Sequence, residues 1–129
     1  MASSFVLMVT KSPFDARNSS NAIAFCQAAI SSGHTIEQVF FYQSGVQNAS
    51  TLSCASSSEL DIYNQWLALH TQHGVSLNVC STAGIRRGIV GEEDASRLAL
   101  TANVAPHFSS VGLSDYFAAL ASQAISIQL

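Results

Sequence analysis

Short apolar runs alternate with stretches of helical periodicity along the whole chain, and no other feature constrains the fold as strongly. Residues 4–10 (SFVLMVT), 35–42 (TIEQVFFY) and 75–80 (VSLNVC) read as strands buried on both faces. Between the first two, Ala22, Phe25, Cys26, Ala29 and Ile30 fall at helical spacing, and Gly33 is a natural stop for a helix over residues 18–32. Between the second and third, Leu60, Tyr63, Trp66, Leu67 and Leu69 mark another helix ending at Gly74. Ser58 with Asp61 resembles an imperfect capping box at its start. Residues 81–87 open a short helix, and Glu92, Glu93 and Asp94 suit the first turn of the next, where the dipole favours acids. Residues 107–111 form a weak strand, 114–122 a helix and 124–129 a last strand. Strands alternating with helices predict an α/β fold with a largely parallel sheet. Residues 11–17, containing Pro13, and the serine-rich residues 43–57 are expected to be loops, the second long enough to suggest a functional one.

Composition narrows the functional classes. A length of 129 residues suits a single domain. Charged residues make up only 10% and hydrophobic ones 48%, so part of the surface is expected to be an oligomer interface. The formal net charge is −3, and Arg86–Arg87 is the one adjacent basic pair. Direct nucleic-acid binding, which needs many phosphate neutralisers, is not expected. The start MASSFVLMVTKSPF has neither a basic n-region nor an apolar run long enough for a signal peptide or membrane span. Three cysteines without paired spacing do not form a disulfide framework, which points to a reducing cytoplasm. The acceptor-like triplets at Asn18 and Asn48 are then chance matches.

The stretch GVSLNVCSTAGIRRG concentrates the chemistry. In open parallel sheets, ligands and reactions gather beyond the carboxyl ends of the strands. Cys80 ends the third strand and, if Ser81 begins a helix, stands at a helix N-terminus, where the dipole and free N–H groups favour a thiolate. Arg86 and Arg87 would add positive potential. Free cysteine is also among the most buried residue types, and position alone leaves packing and reactivity level. Cys26, on the apolar stripe of the first helix, is a core residue, and Cys54 is a bystander or a resolving thiol in the serine-rich loop.

The histidines discriminate further. A hydrolytic cysteine needs a histidine base beside it. His34, His70, His73 and His107 all precede strands, so they belong to the opposite edge of the sheet, roughly 20 Å from Cys80 along a six-residue strand. A protease or amidase is disfavoured, whereas a thiol that accepts and hands on a group is not. His70 and His73 have i,i+3 spacing but no completing ligands, and the dipole at a helix C-terminus accounts for them. No G-x-S-x-G, phosphate loop or C-x-x-C is present. Trp66 and Tyr63 read as packing or interface residues rather than a base-stacking platform.

Together FVLMVT, AIAFCQAAISSGH, VFFYQSGVQNAS, HGVSLNVCSTAGIRRGIV and SSVGLSDYFAALASQ resemble the DsrE/DsrF/DsrH-like sulfur-relay family, in its TusD/DsrE branch, over almost the whole chain. The pair F-Y-x-x-G-V-x-N-A and N-x-C…R-R-G is the specific part. The resemblance implies a three-layer α/β/α sandwich on a five-stranded, mainly parallel sheet. It implies a sulfurtransferase carrying sulfur as a persulfide on Cys80, with Ser81, Arg86, Arg87 and Asn48 as binding or thiolate-stabilising residues, and no cofactor or metal. It also implies a heterohexamer with TusB- and TusC-like subunits, a TusA-like donor, a TusE-like acceptor and 2-thiouridine at the tRNA wobble position as the end product. Dissimilatory sulfur oxidation, a non-catalytic assembly subunit and a redox module built on Cys54 and Cys80 are the alternatives. One departure stands out: the family's Gly-Pro turn after the first strand is replaced by Lys11-Ser12-Pro13-Phe14-Asp15, in a loop expected to border Cys80.

Overall fold

A computed structural model describes residues 2–52 and 61–129, so Cys54 and Ser58 lie outside the described residues. Five parallel strands form one sheet: β1 Ser4–Val9, β2 Thr35–Phe41, β3 Ser76–Cys80, β4 Phe108–Val111 and β5 Ile125–Gln128. Their order is β4-β3-β2-β1-β5. The chain thus steps outward from β1 to β4 and then returns across the sheet to β5. Right-handed crossovers put helices α1 (Asn18–Ser31), α2 (Ile62–His73), α3 (Ser81–Arg86) and α4 (Glu92–Leu98) on one face, and α5 (Leu113–Ala121) on the other. Aromatic contacts follow that division. Phe5 meets Phe25 of α1 and Phe41 meets Trp66 of α2, while Phe40 meets Tyr116 of α5. The sandwich expected from the sequence is therefore present, with every strand pairing parallel.

Both sheet faces are apolar where helices cover them. Leu7, Val39, Phe41, Leu77 and Val79 are buried beneath the first layer, and Val6 and Phe40 beneath α5. Between Phe5 and Val6 the β1–β2 register slips by one residue. Gln38 is thereby aligned with Val6 and buried, where its amide donates to the Asp115 carbonyl and accepts from the Asn78 amide at 2.7 Å. That satisfied pair keeps a polar side chain tolerable at the centre of the sheet.

One local expectation is corrected. Residues 43–49 are not irregular loop: Gln43–Ala49 is a 3₁₀ helix. It forms because Gly45 can lie against the Val9 carbonyl, where a Cβ would come within 1.9 Å of the oxygen. The Ser58 half of the expected capping box at the start of α2 lies outside the described residues. Asp61 itself caps α2, its carboxylate accepting from the Asn64 amide at 3.1 Å. Gly74 ends that helix in the left-handed conformation at φ +68°, as expected.

Candidate functional site

The carboxyl edge of β3 turns directly into α3, and Cys80 is the residue at the turn. Its backbone is extended (φ −63°, ψ 116°) and it occupies the cap position of α3 without its thiol capping any helix N–H. Residues 81–84 (STAG) are small, and this suits a tight turn. Gly84 passes so close to Ile89 that a Cβ would lie 2.4 Å from the Ile89 carbonyl oxygen. The thiol is 3% exposed and lines a cleft of about 380 Å³ with Tyr42, Gln43, Thr82, Ala83, Arg86, Arg87 and Leu113. Arg86 and Arg87 are exposed at its rim. Arg87 donates to the Ala83 carbonyl at 3.2 Å, holding its own helix's last turn, whereas among the described residues Arg86 has no side-chain hydrogen bond or ion pair.

The structure brings Cys80, Arg86 and Arg87 together, and places the other candidates elsewhere. Ser81 faces the opposite side of α3: its hydroxyl donates to the Asp94 carboxylate at 2.5 Å, tying α3 to α4. Arg97 donates to the other oxygen of that carboxylate at 3.1 Å. The Ser81 hydrogen bond, then the Arg97 hydrogen bond, hold Asp94 below its ordinary value of 3.8. Stability from this pair is therefore present at neutral pH and lost as pH falls through the folded-state value. Replacing Ser81 with alanine is expected to move the Asp94 titration upward, as read by carboxyl NMR, and to lose stability at neutral pH, the loss shrinking as pH falls through the Asp94 titration. Asn48 is buried away from the cleft. It donates to the Gly45 carbonyl at 2.8 Å and accepts from the Trp66 indole at 3.0 Å, so it fastens the 3₁₀ helix to α2. The loop at residues 11–17, expected beside Cys80, lines a different groove with Ser20, Asn21 and Ile62. β2 separates β1, whose end it follows, from β3.

Sequence reasoning missed Tyr42, Gln43, Thr82 and Leu113 as cleft residues. Gln43 carried no signal, although its left-handed backbone at φ +50° turns the chain from β2 into the 3₁₀ helix. Leu113 arrives from α5 on the opposite layer, which only the strand order reveals.

The histidines are indeed at the other edge. His34 accepts from the Ser3 amide, and His70 and His107 stand before β3 and β4. Cys26 is a core thiol with no exposure, and burial raises it from 9.0 to about 12. The native state then keeps a proton that the unfolded chain releases, so stability should fall between pH 9.0 and about 12. The expected slope is up to about 1.4 kcal/mol per pH unit. Denaturant melts across that range check it, and Cys26→Ala should flatten the profile.

A thiol at the carboxyl edge of a parallel strand, in an arginine-rimmed cleft and with the histidines at the opposite edge, is an arrangement that thiol exchange can use and that a histidine-assisted hydrolase cannot. The DsrE/DsrF-like family model matches residues 3–127, and the chain belongs to that family. Curated relatives named "Sulfurtransferase TusD" from Salmonella paratyphi B and Salmonella heidelberg are 44% identical over 110 residues, covering 84% of this chain and 86% of theirs. The crystal structure of the ychN protein from E. coli superposes over the full length of both chains with a TM-score of 0.67 at 17% identity, which establishes the shared fold. Sulfurtransferase activity, the class expected from the sequence, is what the TusD relatives are named for.

Proposed function

We propose that this chain is a sulfurtransferase subunit, a single DsrE-like domain over residues 1–129, that carries sulfur as a persulfide on Cys80. The observation carrying the reading is the placement of Cys80 at the carboxyl edge of β3, inside a cleft lined by Tyr42, Gln43, Thr82, Ala83 and Leu113 and rimmed by two arginines. The Cys80 thiolate attacks the outer sulfur of a donor persulfide. The donor's S–S bond breaks, its electron pair leaves on the donor thiolate, and a new S–S bond forms on Cys80. An acceptor thiolate then takes the outer sulfur by the same exchange. Neither step needs a histidine base.

Arg86 and Arg87 hold positive potential beside the anionic sulfur and meet the incoming protein, with Arg86 the more available for docking. The chain works in a cytoplasmic sulfur relay with TusB- and TusC-like subunits in a heterohexamer, receives sulfur from a TusA-like donor and passes it to a TusE-like acceptor. The route leads towards 2-thiouridine at the tRNA wobble position. A low charge content of 10% suits subunit burial, and the net charge of −3 suits a middle carrier that does not hold tRNA itself. Among the described residues no helix is long and apolar enough to cross a membrane. The test is incubation with a sulfur-loaded TusA-like donor, followed by intact mass and peptide mapping. Sulfur on the peptide carrying Cys80 is expected, and sulfur only on Cys26 or Cys54 overturns the assignment.

A further inference from the structure

Among the described residues, those other than glycine with a left-handed backbone are Gln43, Ala99, His107 and Gln123. Ala99 ends α4 and Gln123 follows the end of α5, which is where a chain leaving a helix turns left-handed. His107 leads into β4 at the opposite edge of the sheet from Cys80. Gln43, at φ +50°, stands where a strand gives way to a helix, a place where extended backbone is usual. The Gly45 amide donates to the Tyr42 carbonyl at 2.9 Å, which makes Gln43 the second residue of a tight turn. A positive φ at that position belongs to the primed turn types, which glycine, asparagine and aspartate dominate. A longer side chain is strained there, and it persists because its neighbours fix the backbone. The Tyr42 amide is tied to the Val9 carbonyl, and Gly45 lies against the same oxygen.

The side chain of Gln43 does nothing for the fold that would account for the strain. It is exposed, and among the described residues its amide makes no hydrogen bond. It does line the Cys80 cleft, arriving from the end of β2, whereas Arg86 and Arg87 arrive from α3. The Cys80 thiol is itself 3% exposed, so a second sulfur bonded to it has the cleft of about 380 Å³ as its surroundings. That sulfur passes between S–H and S⁻ in the course of a relay. A guanidinium only donates, whereas a primary amide donates through N–H and accepts through its carbonyl. An amide can therefore hold the outer sulfur in either state and damp its charge when a thiolate approaches. Tyr42 and Thr82 bring hydroxyls to the same cleft, but neither is held in a strained backbone.

Resting on the assignment of the persulfide to Cys80, we propose that Gln43 is a substrate-contacting residue for sulfur transfer. Its side-chain amide hydrogen-bonds the outer sulfur of the Cys80 persulfide and aims it at the acceptor thiol. The strained turn is what carries a long amide side chain to the wall of the cleft, and such outliers cluster at sites of this kind. Neither a proton nor an electron pair passes to Gln43. The acceptor thiolate forms its bond to the outer sulfur, the S–S bond to Cys80 breaks, and the electron pair of that bond stays on the Cys80 thiolate.

The experiment compares the parent chain with Gln43→Gly and Gln43→Glu. Each is loaded from a ³⁵S-labelled TusA-like donor at a series of concentrations and discharged to dithiothreitol, with a melting curve for each. Gln43→Gly removes the amide and the strain together. Its melting temperature should be no more than a few degrees below the parent's. Its limiting rate of sulfur discharge should fall by about tenfold or more, with the donor concentration for half-maximal loading changed less than about threefold. Gln43→Glu keeps the length and the strain but replaces the donor with a negative charge, and its discharge should be slower still. A residue with a merely structural role would lose stability and rate together. Discharge by Gln43→Gly within about twofold of the parent, a Gln43→Gly protein that melts far below it, or parental discharge by Gln43→Glu would each overturn the proposal. Label on the Cys80 peptide of the parent together with unchanged rates in both variants ends this proposal alone. No label on that peptide in the parent overturns the Cys80 assignment, and this proposal with it.

Discussion

Cys80→Ser is expected to lower sulfur acceptance from a loaded donor by on the order of 10³-fold or more, while leaving the fold intact. Serine is nearly isosteric with cysteine, and the position has a polar neighbourhood on one side. The hydroxyl can meet the cleft that already contains Thr82, Gln43 and the arginine heads. Its nucleophilicity towards sulfur at neutral pH is negligible, because exchange runs through a thiolate. A one-for-one comparison with Cys26→Ser separates chemistry from packing. That residue is fully buried on α1, so a hydroxyl there loses stability by about 1–3 kcal/mol without a new partner, yet should keep transfer at the parental rate per folded molecule. The measurement is the rate of label transfer from a ³⁵S-loaded donor, with a melting curve for each variant. Transfer retained in Cys80→Ser, or lost in Cys26→Ser at equal folded fraction, would sink the assignment.

The sequence made the sheet legible because its strands are short, strongly apolar and separated by helices with clear stops. Gly33 and Gly74 end α1 and α2 where the pattern placed them. Cys80 was legible for the same reason: a residue ending an interior parallel strand lies at the carboxyl edge whatever the rest of the fold does. Asn48 is the informative case. Its place in the F-Y-x-x-G-V-x-N-A segment suggested a binding role, and the structure places its amide between the Gly45 carbonyl and the Trp66 indole, away from the cleft. A tryptophan indole on α2, eighteen residues downstream in sequence, is a partner that no local pattern announces. Ser81 is placed by a similar cause. Adjacent to the thiol in sequence, it points to Asp94 because successive residues on a helix face directions about 100° apart. The loop at residues 11–17 was misplaced since it follows β1, and only the strand order shows β2 standing between that strand and β3. What proximity along the chain suggested, proximity across the sheet decided.

That 3₁₀ segment makes Gly45 the position where one methyl group should cost most. A Cβ at residue 45 would stand 1.9 Å from the Val9 carbonyl oxygen and 2.7 Å from its carbon, both backbone atoms of β1. The same oxygen accepts from the Tyr42 amide at 2.9 Å, so it cannot retreat without breaking the bond that holds the exit of β2. Movement of the segment instead pulls Asn48 from the Trp66 indole, leaving a buried donor unpaired. It also shifts Tyr42 and Gln43, one wall of the cleft around Cys80. Gly45→Ala should therefore destabilise the chain by on the order of 3 kcal/mol or more and alter the alkylation rate of Cys80 in whatever folded fraction remains. Gly33→Ala is the matched control. Its φ of +86° makes alanine strained, but nothing lies within 4 Å of the new Cβ, so a loss of only about 1 kcal/mol and no change at Cys80 are expected. Urea melts of the two variants, with thiol kinetics, distinguish conformational strain from collision. Equal losses would mean that close approach to Val9 does not govern this turn. A larger loss for Gly45→Ala with altered thiol kinetics would make the contact between the 3₁₀ helix and β1 a determinant of the sulfur site's geometry.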